Sequence, residues 1–175
     1  MLKGELTGLR AVEAADLEQL LEWRNQPEYR LFFREYRELN RESQKRWFET
    51  KVLGDEHTRM FSIIQLSSGE LIGACGLCYI DWINRCADFS IYIGKDGLYI
   101  DDQYAVDAGR DMAKYAFEEL NLHRLWTEIY EIDEKKKALF KTLHFTHEAT
   151  HKQTHWTQGK WVDSWYYRLI DGETE

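Results

Sequence analysis

The stretch from residue 87 to residue 132, ADFSIYIGKDGLYIDDQYAVDAGRDMAKYAFEELNLHRLWTEIYEI, decides the fold. Its first eight residues, ADFSIYIG (87–94), alternate apolar and polar side chains as a strand does. Residues 104–120 follow with Val106, Met112, Ala113, Ala116, Phe117 and Leu120 at the spacing of a helix with one inner face. RLWTEIYEI (124–132) reads as a second strand, and DEKKKALFKTL (133–143) as a short helix.

Working outward, MFSIIQL (60–66) and LIGACGLCYI (71–80) flank Ser67-Ser68-Gly69-Glu70, the pattern of an antiparallel hairpin. Residues 4–11 read as a first strand, and 15–24 as a helix whose Leu17, Leu20, Leu21 and Trp23 share a face. Asn25-Gln26-Pro27 stops that helix, because proline disfavours helical geometry in the residue before it. Asn40 is placed to cap a further helix to about residue 52, ended by Gly54. Two strands near 145–151 and 161–170 close the chain, with Gln158-Gly159 turning between them. The order predicts an α/β (α+β) fold: a mixed central sheet of about seven strands with helices on both faces.

The 175 residues suit one domain, 1–175, and no linker or repeat interrupts them. With 23 Lys+Arg against 31 Asp+Glu, the net charge of −8 argues against nucleic acid or an anionic membrane as partner. No apolar run is long enough to span a bilayer, and the acidic start does not resemble a signal peptide, so a cytoplasmic address is expected. Cys75, Cys78 and Cys86 are too few and too clustered for a disulfide framework. Without a second Cys/His pair at zinc spacing, Cys75 and Cys78 read as small buried hydrophobes.

The element order, with the strings LRAVEAADLEQLLEWRN, IGACGLCYIDWINRCADFSIYIG and YAFEELNLHRLWTEIYE, resembles the GNAT superfamily of N-acetyltransferases. It looks most like the branch of ribosomal-protein N-terminal and small-amine or amino-sugar acetyltransferases. The resemblance implies acetyl transfer from acetyl-CoA, as co-substrate, to a primary amine on a small molecule or a protein N-terminus, with no metal. Glu128 falls where several relatives carry the catalytic base. The same register sets Tyr92, Ile93, Asp101, Asp102, Gln103, Tyr104, Ala105, Val106, Asp133 and Phe140 along the cofactor. LFFREYRELN (31–40) lies where the family walls its acceptor pocket. Phe32, Phe33, Arg34, Glu35 and Tyr36, with Trp82 and Asn84 in the turn of IDWINR, are therefore acceptor-side candidates.

The chain departs from that pattern at three places. The family's pyrophosphate loop, Gln/Arg-x-x-Gly-x-Gly/Ala, aligns with Ile100-Asp101-Asp102-Gln103-Tyr104-Ala105, where only Ala105 fits and two carboxylates replace glycine or basic residues. Asp133 stands for an Asn that contacts the pantetheine arm, and as an alternative caps the helix after it. Phe140 stands for a Tyr that protonates the thiolate, and His144-Phe145 for Gly-Phe. Tyr92, Tyr104 and Tyr130 are the substitutes in view. The same departures leave open a non-catalytic binding or regulatory protein on this fold.

The histidines at 144, 147, 151 and 155 do not keep one face of a strand, so no metal site is expected from them. Lys135-Lys136-Lys137 reads as a solvated helix face, with contact to CoA phosphates as the alternative. The aromatic content suits a homodimer interface.

Overall fold

Eight strands hydrogen-bond in the order β1-β2-β3-β4-β5-β6-β8-β7 in a computed structural model that describes residues 1–173. The strands are β1 (Leu2–Lys3), β2 (Thr7–Ala11), β3 (Arg59–Gln65), β4 (Leu71–Asp81), β5 (Cys86–Ile93), β6 (Arg124–Tyr130), β7 (Thr146–Thr157) and β8 (Lys160–Ile170). Every pairing is antiparallel except β5 with β6. The mixed sheet is as expected, with the two-residue β1 as its eighth strand. The last two residues of the expected 1–175 domain lie outside the described residues.

Strand alternation sorts the core into two layers. The register aligns Phe61 with Cys75 and Cys75 with Ile91 on one face, and Ser62 with Ala74 and Ala74 with Tyr92 on the other. Helices α4 (Tyr104–Lys114) and α5 (Glu134–Thr142) cover the first face. There Tyr115, just past α4, meets Phe61 at 5.3 Å, and Phe140 of α5 meets Phe89 at 5.5 Å. Helices α1 (Leu17–Asn25) and α2 (Pro27–Arg30) cover the second face, where Tyr29 packs on Tyr92 at 6.3 Å. Burying a side chain such as fully covered Phe89 or Phe140 contributes about 1.5–3 kcal/mol. The same alternation sends Cys75 to the core and Cys78 to the opposite face, so the two thiols do not form a pair.

Local chemistry sets the element ends. Pro27 stops α1, and its fixed φ and missing N–H then suit the first position of α2, which starts there. Asn40 caps α3 (Arg41–Trp47) by accepting the Ser43 N–H at 2.8 Å; the helix then widens to a π-turn over 48–53 before Gly54. Strand β7 runs six residues beyond the expected 151 to Thr157. It is the outermost strand, so its exposed Thr, Lys, Gln and His side chains show no apolar alternation.

Candidate functional site

Strands β5 and β6 run together only at their starts. The parallel register joins Cys86 to Arg124, Ala87 to Leu125 and Asp88 to Trp126, then ceases, although the strands continue to Ile93 and Tyr130. The sheet is split beyond Asp88, and α5 begins beside the split. A cavity of about 200 Å³ lies there, walled by Phe32, Phe33, Arg34 and Glu35 from the segment after α2, by Asp88 of β5 and by Glu128 of β6.

Arg34 bridges the two strand carboxylates. Its Nη1 donates to Asp88 Oδ2 at 2.6 Å and its Nε to Glu128 Oε2 at 3.0 Å. Burial disfavours the guanidinium charge, but Asp88 and Glu128 outweigh it and hold the Arg34 pKa above its ordinary value. Burial pushes Asp88 above the usual carboxylate range even with Arg34 against it. Cys78, on the same wall, is pushed up to about 11 by burial and is a poor nucleophile. Glu128 keeps 16% of its side chain exposed, so a group entering the cavity can reach its carboxylate.

The neighbouring loop turns its own carboxylate onto the helix start. Asp101 accepts the N–H groups of Tyr104 at 2.9 Å, Ala105 at 2.8 Å and Gln103 at 3.3 Å. Those are the donors that an anion at the N-terminus of α4 would use. Asp102 and Gln103 are exposed beside them. Tyr104 instead accepts the Gln65 amide at 2.9 Å through its hydroxyl, and Val106 is a core residue. At this loop the residues present do not fit a pyrophosphate.

Deeper in the split, Tyr99 fills space between the elements. Its φ of 59° lets the chain turn back so that its carbonyl accepts the Ile93 N–H at 2.7 Å. The Ile93 carbonyl accepts Tyr29 Oη at 2.8 Å. Both backbone groups at the end of β5 are thus used within the chain. Tyr99 Oη donates to Asp133 Oδ2 at 2.6 Å, and burial, with Asp133 beside it, raises its pKa well above the ordinary value. Asp133 also caps α5, accepting the Lys136 N–H at 3.0 Å. A second cavity, of about 380 Å³, lies past Tyr99 and Phe32 between α2 and the start of α5.

Among the acceptor-side candidates, Phe32, Phe33, Arg34 and Glu35 come together with Glu128. Tyr36 does not; it lies in a separate depression beside Trp156 and is 75% exposed. Trp82 and Asn84 serve the β4–β5 turn: Trp82 donates to the Glu56 carbonyl, and Asn84 bonds the Asp81 carboxylate. Of the cofactor-side candidates, Tyr92 is buried against Tyr29 and Phe33, and Phe140 is enclosed by Phe89 and Phe145. Phe140 therefore packs the core rather than facing the split.

Sequence reasoning missed Arg24, Asp88 and Tyr99, and met Lys136 only within the run 135–137. Asp88 alone left a trace, as a lone acid inside an apolar strand. Lys136 also corrects the reading of 135–137 as a solvated face. It is only 8% exposed, and Lys137 lies over the Trp165 ring at 4.0 Å, because α5 turns this side toward the sheet. The β7 histidines rest on aromatic rings, His155 flat on Tyr130 at 3.7 Å, and no group of three metal-ligating side chains gathers among the described residues.

The class is thus a mixed α/β sheet split between β5 and β6, with a cavity holding two carboxylates at the divide. The chain belongs to the acetyltransferase (GNAT) domain family, whose model matches residues 7–146. It is 26% identical over 113 residues to "Uncharacterized N-acetyltransferase p20" of Bacillus licheniformis, covering 65% of this chain and 62% of that protein. It is 30% identical over 110 residues to "Putative ribosomal N-acetyltransferase YdaF" of Bacillus subtilis (strain 168), covering 63% and 59%. The matched region thus spans about three-fifths of either relative's length, 62% and 59%. A crystal structure of spermidine N-acetyltransferase from Vibrio cholerae, in complex with CoA and spermine, superposes with a TM-score of 0.84 at 23% identity, over 94% of this chain and 95% of that one. A dodecameric structure of that enzyme superposes with a TM-score of 0.79 at 23% identity, over 94% of each chain.

Proposed function

We propose that the protein, acting as one domain, is an N-acetyltransferase that moves an acetyl group from acetyl-CoA to a primary amine. The observation that carries the reading is the position of Glu128, reachable in a cavity at the divide between β5 and β6. The thioester supplies an activated carbonyl and a sulfur leaving group. The chain's own contribution is at the amine. An entering ammonium competes with Arg34 Nε for the Glu128 carboxylate, while Arg34 stays held by Asp88. Glu128 then takes the proton, directly or through water, and leaves the nitrogen lone pair free to attack. The new C–N bond forms as the C–S bond breaks, and the second proton of the nitrogen passes to water or to the departing sulfur, since Phe140, enclosed in the core, has no proton to give. The acceptor class follows the relatives, a small amine or a protein N-terminus, and the address is cytoplasmic; no helix among the described residues is long and apolar enough to cross a membrane.

Turnover of Glu128→Gln tests this. The substitution keeps the shape, removes the basicity, and is expected to cost about two orders of magnitude in rate with acetyl-CoA affinity nearly unchanged. More than half the activity retained across the pH range would remove Glu128 from the mechanism.

One observation favours a second reading. The Asp101 carboxylate holds the N–H groups a pyrophosphate would need, and Tyr99 occupies both the Ile93 N–H and Asp133. A protein that keeps this arrangement in solution uses the fold for binding or regulation, without acetyl transfer.

A further inference from the structure

Two cations in the cavity make no hydrogen bond or ion pair among the described residues. Lys136 is 8% exposed, and its Nζ makes no hydrogen bond or ion pair among the described residues; it sits 5.7 Å from the centre of the Phe33 ring and 5.5 Å from that of Tyr99. Arg24 stacks on the same Phe33 ring at 4.6 Å and is likewise without a hydrogen bond or ion pair among the described residues. Both line the Glu128 cavity. The nearby carboxylates make their direct contacts with other groups: Asp133 with the Tyr99 hydroxyl and the Lys136 backbone, Asp88 and Glu128 with Arg34, and Glu35 with Arg37; Asp133 and Asp88 attract the Lys136 ammonium only without contact. The lining carries Arg24, Arg34 and Lys136 against Glu35, Asp88 and Glu128, and Arg37 from outside the cavity pairs with Glu35, so the group as a whole is 4 − 3 = +1.

The surroundings have the same sign. A depression of about 400 Å³ shares Arg24 and Glu35 with the cavity and adds Arg46, beside Arg37 and Lys51, which pair with Glu35 and Asp55. In a chain of net charge −8, this is a local reversal of sign at the approach to the site. Burying an ammonium with no partner in direct contact is costly: burial holds Lys136 below the ordinary lysine range even though Asp133 and Asp88 draw it up, and Arg34 and Arg24 add to the lowering. A carboxylate between Lys136 and Arg24 relieves that cost, and the guanidinium can take it in bidentate fashion.

We propose that Arg24 and Lys136 form an anion subsite, and that the acceptor is an amine carrying a carboxylate within a few bonds of its nitrogen. The identification as an acceptor rests on the acetyltransferase reading above; the subsite itself does not. The amine meets Glu128 while the carboxylate meets the two cations. Either the α-carboxylate of a free amino acid or the acidic side chain at the start of a peptide presents this chemistry.

Calorimetric titration with three product analogues tests the subsite without turnover. N-acetyl-L-alanine carries an α-carboxylate, N-acetyl-L-alaninamide carries none, and the α-amide of N-acetyl-L-aspartic acid carries only a side-chain carboxylate. At least one acid is expected to bind about tenfold more tightly than the alaninamide, and which acid does so separates amino acid from peptide. That preference should be lost in Arg24→Gln and in Lys136→Met, the latter keeping the length of the buried chain. Equal binding of the three, no binding of either acid, or a preference that survives both substitutions overturns the subsite. So does a loss confined to acetyl-CoA binding, which would assign the cations to the donor. An inactive protein with the carboxylate preference intact would overturn the acetyltransferase reading alone.

Discussion

At the scale of single residues, carboxylates in this chain do different work according to what faces them. Asp101 accepts three backbone N–H groups and so takes the place of an external anion. Asp101→Gly is expected to tighten acetyl-CoA binding, more so at low salt, while losing about 1 kcal/mol of cap stability. Titration at two salt concentrations checks it, and unchanged or weaker affinity would mean that the phosphates bind elsewhere. Asp16 shows the opposite use of burial. Burial would raise its pKa, but Arg10 at 2.7 and 2.8 Å, the Glu13 N–H and the Ser62 hydroxyl outweigh it and hold the group below its ordinary 3.8. A depressed acid stabilises the fold above its unfolded pKa and loses that contribution as pH falls through the folded value. Asp16→Asn should therefore cost about 2 kcal/mol at neutral pH in urea denaturation, with the gap narrowing below about pH 4. A gap that stays constant with pH would contradict the pairing.

At the scale of elements, what the sequence disclosed followed apolar periodicity. The strands at 60–66, 71–80 and 87–94 were legible because one or both of their faces are buried. The full length of β7 was not, because an outer strand exposed to water can be polar throughout. Asp133 was readable as a helix cap, whereas Tyr99 was not readable as a bridge to it: that contact depends on a left-handed turn which no short motif announces. A run of three lysines likewise hides Lys136, since composition says nothing about which side of α5 meets the sheet. The end of α5 shows how a single backbone conformation carries a physical cost. His144 adopts φ 64°, a conformation that suits glycine, and the Phe145 N–H bonds the Phe140 carbonyl at 2.8 Å to close the helix. His144→Gly should raise stability by about 1 kcal/mol, or roughly 2–4 °C in Tm by calorimetry. No gain would mean that the histidine ring contributes contacts of equal worth. Phe140→Tyr should do the reverse, because its hydroxyl would lie among Phe89 and Phe145 without a partner, costing about 1–3 kcal/mol. A variant as stable as the parent, and faster, would place residue 140 at the thiolate after all.

At the scale of the whole molecule, the sheet parts between β5 and β6 while the Asp101 carboxylate holds the N–H groups at the start of α4. The parting of β5 from β6, legible only as two strands around a helix, makes the cavity that brings Glu128 to Arg34 and Phe33. The acetyltransferase reading requires that acetyl-CoA still enters this split, displacing Tyr99 from Asp133 or lying beside it with its phosphates away from α4. Calorimetric titration of the full chain with acetyl-CoA tests that claim most directly. Enzymatic use of the fold predicts saturable binding at micromolar concentration, equivalent to about −8 kcal/mol. Silence at millimolar acetyl-CoA, from protein that still melts cooperatively, would contradict it and leave the fold as a binding scaffold.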